Sequence, residues 1–117
     1  MNTELINNLQ QGHPEIWNER NRDKRDALMA EFYLEDIKMH DPDFTLVGIP
    51  AVSDFIEKLL SDDHFLFTAG KPIDHTQNGA RLFWNITTGK GKLESMDFFI
   101  LKDDKVSEIY VFMQPVS

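Results

Sequence analysis

Apolar residues in the first half of the chain recur at helical spacing in two segments. Between positions 14 and about 33 they cluster near both ends and leave a polar middle at 20–26, so this segment predicts two short helices joined at a polar elbow. The elbow carries four basic residues, but its two aspartates neutralise half of that charge, which favours a solvated face over an anion site. The segment 51–60 predicts a third, amphipathic helix.

The beginning of the chain has a weaker helical pattern. Residues 3–11 predict at most a loose turn or two of helix, because Gly12, His13 and Pro14 interrupt the pattern. Pro14 suits the first position of a new helix, where a missing N–H removes no hydrogen bond. We therefore expect the first complete helix to begin at Pro14.

Alternation with a period of two marks the first strand. Ile37, Met39 and Asp41 alternate with Lys38 and His40, and Asp41 is followed by a proline that ends the strand. Asp41 is therefore expected on the same side as Ile37 and Met39. His40 is expected to face outward.

The second half of the chain predicts an antiparallel meander. Four strand-like runs, at 65–75, 80–87, 92–102 and 106–113, are separated by sequences typical of hairpin turns, such as Asn78-Gly79 and Asp103-Asp104. Helices followed by a strongly curved antiparallel sheet make an α+β architecture in which the helices cover one face of the sheet. No repeat or linker suggests a second module, so residues 1–117 are expected to form one domain.

Both faces of the last two predicted strands are apolar. Three short helices cannot cover both faces of a sheet, and an exposed apolar patch usually marks an interface. We expect a homodimer packed sheet to sheet, with a monomer whose loops fold back over the sheet as the alternative. The residues expected at the dimer surface are Met96, Phe98, Ile100, Tyr110 and Phe112.

Composition narrows the possible partners and location. The net charge of −8 disfavours binding to the nucleic-acid backbone. No stretch approaches the roughly 18 apolar residues that a membrane span needs, and the first residues lack the pattern of a secretion signal. We expect a soluble, cytoplasmic protein that binds neither nucleic acid nor membranes.

The available side chains also limit the chemistry. With no cysteine there is no disulfide, thiolate nucleophile or cysteine-based metal site. The four histidines show no spacing that brings two of them together, so we expect no metal site. No glycine-rich phosphate loop and no Gly-x-Ser-x-Gly motif is present, and we expect no cofactor.

Two carboxylates are the candidate catalytic groups. Asp97 lies in a segment otherwise suited to burial on both sides, and a buried carboxylate either finds donors or becomes protonated. Asp97 is either functional or a core aspartate held by a backbone N–H, a tryptophan indole or Arg81.

Asp41 could enter the same interior and abstract a proton from a carbon next to a carbonyl, while a protonated Asp97 donates to the developing enolate. The alternative for Asp41 is an Asx turn with residues 42–44.

Several large side chains could line an apolar pocket between the helices and the sheet. An apolar cavity with a few polar groups is the usual composition of a small-molecule site. The alternative is that these residues are simply core. The candidates for substrate binding are Trp17, Tyr33, Phe55, Trp84, Phe99 and Met113.

The order helix, helix, strand with Asp-Pro, helix, four-strand meander resembles the nuclear transport factor 2-like superfamily, which includes ketosteroid isomerases and SnoaL-like polyketide cyclases. The resemblance covers about 14–113. Its local marks are Trp17-Asn18-Glu19-Arg20, Phe32-Tyr33-Leu34-Glu35-Asp36, His40-Asp41-Pro42, Gly48 before a helix, Asp97 with the following turn at 102–106, and Ile109-Tyr110-Val111-Phe112.

The resemblance implies a cone-shaped sheet wrapped on helices around a deep pocket, commonly in a homodimer. It also implies that Asp41 is the general base and that Asp97 is the protonated aspartate of the oxyanion hole, or the acid/base aspartate of the cyclases. Tyr33 matches a supporting tyrosine, whereas Trp17 and Ile56 replace two tyrosines of the isomerases. The function implied is cofactor-independent acid/base chemistry on a small hydrophobic cyclic substrate. A non-catalytic binding or interaction domain is the alternative.

Overall fold

A computed structural model of the chain describes residues 3–115, which form three helices and seven strands. The helices are α1 (Thr3–Asn18), α2 (Arg22–Phe32) and α3 (Ile49–Leu59). The strands are β1 (Tyr33–His40), β2 (Thr45–Val47), β3 (Leu66–Ala69), β4 (Asp74–His75), β5 (Gly79–Thr88), β6 (Gly91–Lys102) and β7 (Lys105–Pro115). The expected α+β class is confirmed.

Helix α1 runs without interruption through Pro14, so the prediction of a helix beginning at that residue is wrong. A proline inside a helix costs roughly 3 kcal/mol, because it removes one backbone hydrogen bond and crowds the preceding turn. The buried face of α1 offsets this cost, since each fully buried large apolar side chain contributes about 1.5–3 kcal/mol. That face carries Ile6, Leu9, Gly12, His13, Ile16 and Trp17.

The polar elbow is present but shorter than expected. Asn21 caps α2, its side chain accepting a hydrogen bond from the Lys24 N–H at 3.0 Å, so the helix begins inside the predicted elbow. Arg25 is fully buried and donates to Ser53 Oγ and the Glu19 carbonyl. Arg25 therefore joins α2 to α3 and to the end of α1, and the prediction of a solvated face is wrong at this position.

The sheet has the order β2-β1-β7-β6-β5-β3, with β4 also paired to β5. Strands β5, β6 and β7 form the predicted antiparallel meander, whereas β1 pairs with β7 in parallel, so the sheet as a whole is mixed. The predicted run at 65–75 is divided into β3 and β4 around Pro72, which cannot donate to a strand ladder. Tyr33 begins β1 instead of ending a helix.

The helices pack on one face of the sheet, which we call the inner face. Alternate residues of β5 and β6 on this face are buried, among them Leu82, Trp84, Asp97 and Phe99. On the opposite, outer face most of the large apolar side chains are half-buried, and Phe112 is 56% exposed. Among the described residues, no helix has both the length and the apolar character needed to cross a membrane.

Candidate active site

A cavity of about 460 Å³ lies between the inner face of the sheet, the end of α1 and helix α3. Its volume falls within the range of roughly 300–1,000 Å³ that is usual for small-molecule sites. Most of its walls are apolar. The lining residues are Trp17, Met39, Asp41, Phe55, Lys58, Leu59, Asp62, Phe65, Phe67, Ile86, Thr88, Leu93, Ser95, Asp97, Val111 and Met113.

The residues that line the cavity form a buried floor at one end and a more exposed rim at the other. The floor consists of Trp17, Met39, Ser95 and Asp97, each no more than 5% exposed. The rim consists of the more exposed residues Asp41, Lys58, Asp62, Thr88 and Met113. A ligand that reaches the floor is therefore surrounded by protein, whereas a ligand at the rim remains in contact with water.

Asp97 is the ionisable group of the floor. It lies on β6 between Leu82 of β5 and Val111 of β7, and its side chain points to the inner face. His13 Nε2 lies 3.2 Å from Asp97 Oδ2, and the Ser95 hydroxyl donates to Asp97 Oδ1 at 3.1 Å. These side chains hold Asp97 in place of the backbone N–H, indole or Arg81 considered from the sequence.

Arg81 is engaged elsewhere, because its guanidinium binds Asp74. The histidine that does reach Asp97 could not be selected from the sequence, since the Gly12-His13-Pro14 pattern predicts a break between helices at His13. Two local signals were present: His13 and Trp17 are four residues apart on one helix face, and Ser95 and Asp97 are two apart on one strand face.

The hydrogen-bonded chain continues beyond His13. The Tyr33 hydroxyl lies 2.8 Å from His13 Nδ1, and the Trp17 indole N–H donates to the Tyr33 oxygen at 3.1 Å. We call Trp17, Tyr33, His13, Asp97 and Ser95 the buried relay. Burial raises the pKa of the Tyr33 phenol far above its ordinary value, so Tyr33 is a neutral hydroxyl at physiological pH.

Asp41 follows β1 and also lines the cavity. His40 pairs with Tyr110 across the β1–β7 ladder, so Asp41 comes level with Val111, and Val111 pairs with Asp97 on its other side. Two strand spacings separate the carboxylate-bearing backbones, which is about 10 Å. A small ring compound fits between two groups at that separation.

Asp41 is held in a turn as well. Its Oδ1 accepts a hydrogen bond from the Asp43 N–H at 3.1 Å, and its own N–H donates to the Phe44 carbonyl at 2.9 Å. The turn and the position at the cavity are thus compatible. His40 faces outward as expected, stacked on Tyr110 with ring centroids 4.4 Å apart.

The aromatic candidates divide into two groups. Trp17, Phe55 and Met113 line the cavity. Tyr33, Trp84 and Phe99 are buried and instead enclose the His13 ring, with centroid distances of 6.2, 5.1 and 4.7 Å. Within residues 3–115, no group of three or more His, Asp or Glu residues is placed to hold a metal ion.

At the rim, Asp62 connects the loop after α3 to the β5–β6 turn. Its carboxylate accepts hydrogen bonds from the backbone N–H groups of Gly89 and His64, both at 2.9 Å. These two donors, that of Gly89 first, lower the pKa of Asp62. One carboxylate therefore joins two loops at the cavity entrance.

Comparison with known proteins establishes the fold. No family model and no curated protein sequence matches this chain. A SnoaL-like family protein from Agrobacterium tumefaciens strain C58 superposes with a TM-score of 0.84 at 18% identity, over 96% of this chain and 99% of that one. A steroid delta-isomerase from Pseudomonas aeruginosa gives 0.71 at 17% identity, over 99% and 83%.

An NTF2-like protein of unknown function from Cytophaga hutchinsonii gives a TM-score of 0.74 at 14% identity, over 94% of this chain and 90% of that one. The chain therefore has the nuclear transport factor 2-like fold, which its sequence resembles. Within that fold it is similar to SnoaL-like and ketosteroid isomerase-like structures. Fold alone does not assign an activity.

Proposed function

We propose that the protein is an acid/base enzyme of the isomerase or cyclase type, which moves a proton on a small hydrophobic cyclic substrate. The observation that carries this proposal is the position of Asp97, a buried carboxyl group at the floor of a mostly apolar cavity of about 460 Å³. A carboxyl group in such a place is costly to keep for stability alone, since removing a charge from water is unfavourable. A buried carboxyl group with specific partners in a cleft is a candidate functional group.

Two carboxyl groups in unlike surroundings suit this chemistry. Asp97 is buried and bonded to His13, whereas Asp41 lies in a partly exposed turn at the rim. General acid/base catalysis needs one group that accepts a proton and a second place from which a proton is returned. The Pseudomonas aeruginosa neighbour is a steroid delta-isomerase, which supports this class of reaction on this fold.

Exchange of carbon-bound hydrogen tests the proposal. Small cyclic ketones, with and without a hydroxyl group on the ring, would be incubated with the protein in deuterium oxide, and deuterium uptake next to the carbonyl would be followed by NMR. We expect uptake well above that in carboxylate buffer of the same concentration, and loss of the excess in Asp97→Asn. Asp43→Asn is the matched control, because Asp43 neighbours Asp41 but does not line the cavity. Uptake equal to buffer, or unchanged in both Asp97→Asn and Asp41→Asn, would contradict the proposal.

A ligand-binding protein without catalysis is the second candidate. It is favoured by the use of the Trp17 N–H, which bonds Tyr33 inside the protein instead of facing a substrate oxygen. An oxyanion needs donors aimed at it, and their loss costs orders of magnitude in rate. Tight binding of a cyclic ligand without any turnover would select this candidate.

We also propose that two copies pair through the outer face of the sheet. The support is the apolar patch there, in which Phe98 and Tyr110 are half-buried and Phe112 is largely exposed. Light scattering after size-exclusion chromatography should give twice the chain mass, and Phe112→Glu should shift the protein to the monomer. A wild-type monomer at tens of micromolar would contradict this.

A further inference from the structure

We infer that the cavity floor only accepts hydrogen bonds, so that Asp97 binds the substrate through a hydroxyl group of the substrate and not through a carbonyl oxygen. This inference rests on the proposed function, because it takes the same cavity as the substrate site. It differs from the role implied by resemblance, in which a protonated Asp97 donates to a ketone. The ligand class is a small cyclic alcohol, phenol or enol.

The hydrogens of the buried relay determine which nitrogen of His13 is protonated. The Tyr33 oxygen accepts the Trp17 N–H, so the Tyr33 hydroxyl hydrogen needs another acceptor. Within the part of the chain that the structure describes, the one acceptor bonded to this hydroxyl is His13 Nδ1, at 2.8 Å. Nδ1 is therefore unprotonated, and the hydrogen of a neutral His13 is on Nε2.

That hydrogen determines the state of Asp97. Nε2 faces Asp97 Oδ2, so it donates, and Oδ2 accepts. Ser95 has one hydroxyl hydrogen and donates it to Asp97 Oδ1. Every polar hydrogen of the buried relay is then used, and all of them are directed toward Asp97. Neighbouring bonds that run in one direction reinforce each other.

Assignments that place a proton on Asp97 Oδ2 or on His13 Nδ1 leave a buried hydrogen without an acceptor. If Asp97 held a proton on Oδ2 and donated it to His13, the His13 hydrogen would be on Nδ1 and the Tyr33 hydroxyl hydrogen would be orphaned. A doubly protonated His13 has the same consequence. A buried hydrogen without an acceptor is rare in folded proteins because an unmade buried hydrogen bond is costly. A proton on Asp97 Oδ1 would leave the Ser95 hydrogen with a neutral hydroxyl oxygen, which is a weaker acceptor than a carboxylate oxygen.

The ionised Asp97 carboxylate can accept further hydrogen bonds from a ligand. A carboxylate can accept about four hydrogen bonds, and the described partners of Asp97 supply two. No lysine or arginine in the described residues contacts Asp97; Arg25 is bonded to Ser53, and Lys58 is exposed at the rim. A donor from a ligand can fill the remaining places.

A carbonyl oxygen of a substrate would find no free hydrogen-bond donor at the cavity floor. The donors of the floor are those of Trp17 and Ser95, and both are already used, by Tyr33 and Asp97. A ketone oxygen placed there would lie against the Asp97 carboxylate with no hydrogen between them. The other side-chain donors of the lining are at the rim: Lys58 is exposed, and the Thr88 hydroxyl already donates to the Gly91 carbonyl.

The experiment compares two ligands with one skeleton, 1-tetralol and 1-tetralone, by isothermal titration calorimetry. We expect the wild-type protein to bind the alcohol about tenfold more tightly, as a hydrogen bond to a charged acceptor predicts. In Asp97→Asn the amide can both donate and accept, so the two affinities should agree within about twofold. Asp43→Asn should keep the wild-type preference.

The outcomes separate this inference from the proposed function. Equal or tighter binding of the ketone by the wild-type protein would overturn the inference, while deuterium uptake could still support the enzyme. Preference for the alcohol in a protein that catalyses nothing would support the inference and remove the enzyme. Binding of neither ligand would overturn the cavity as the substrate site, and the inference with it. The wild-type comparison holds even if Asp97→Asn fails to fold.

Discussion

His13 Nε2 and Asp97 Oδ2 lie 3.2 Å apart, although 84 residues separate them in the chain. The contact joins the first helix to the middle of the sheet at the floor of the cavity. The two side chains are only 1% and 5% exposed. Because both side chains are buried, their contact fixes α1 against the sheet at the candidate site.

The strength of this contact can be measured by a double-mutant cycle. We expect His13→Ala to destabilise the fold by about 3 kcal/mol, because it leaves a cavity and removes a donor from a buried carboxylate. The coupling free energy with Asp97→Ala should be about 1–3 kcal/mol. Urea unfolding of both single variants and the double variant gives this value. Additive effects would show that the pair is not coupled in solution.

Burial of the Tyr33 phenol predicts that the folded protein loses stability at alkaline pH. Burial keeps its pKa above that of the unfolded chain, where tyrosine titrates near about 10. Above about pH 10 the unfolded state loses this proton and the folded state does not, so stability falls by up to about 1.4 kcal/mol per pH unit. Below that pH the contribution is fully present.

Tyr33→Phe removes this contribution and leaves the other titrating groups in place. Urea unfolding at about pH 9 and about pH 11 should therefore show a steeper loss for the wild-type protein than for Tyr33→Phe, by about 1 kcal/mol. Equal losses in the two proteins would mean that the Tyr33 phenol is accessible to water in the folded state.

Replacing Pro14 tests whether helix α1 is continuous through this residue. Inside a helix, Pro14→Ala restores a backbone N–H and should stabilise the protein by about 1–3 kcal/mol, even after the greater freedom of the unfolded chain is counted. At the first position of a helix the same change would be neutral or unfavourable. Thermal unfolding measured with both proteins distinguishes the two positions of Pro14.

Asp62 should hold the cavity entrance together. Its carboxylate, whose pKa is lowered by the Gly89 and His64 N–H groups, stabilises the rim above the ordinary titration range of aspartate. This contribution is lost as pH falls through the lowered pKa. Asp62→Ala should speed amide hydrogen exchange at Gly89 at neutral pH. Asp63→Ala is the control, since Asp63 is exposed next to it; the same acceleration in both variants would contradict a specific role.

The parts of the fold that the sequence predicts are those with local signals. Helix α3 follows from the spacing of Val52 and Ile56, and the β5–β6–β7 meander follows from alternation between recognisable turns. The passage of α1 through Pro14 was missed because tertiary packing, absent from any local pattern, offsets the cost of the proline. The parallel β1–β7 pairing depends on contacts between distant segments, whereas β2 pairs with the neighbouring β1 but is only three residues long, too short for a clear pattern.

Predictions for the candidate site divide in the same way, between features with local signals and features that depend on distant contacts. The apolar neighbours of Asp97 predict its burial, and the structure places it at 4% exposure. Its partner could not be predicted, because nothing near His13 in the sequence points to residue 97. The sharing of hydrogens among Trp17, Tyr33 and His13 depends on distances of about 3 Å, which only the folded chain defines.

The most direct test of the account is the protonation state of Asp97 at neutral pH. Carboxyl-carbon NMR of the 13C-labelled aspartates, with Asp97→Asn to assign the signal, distinguishes a carboxylate from a carboxylic acid, and 15N NMR of His13 identifies which ring nitrogen carries the hydrogen. We expect an ionised Asp97 beside a neutral His13 protonated on Nε2. A protonated Asp97, or a His13 with its single hydrogen on Nδ1, would contradict it.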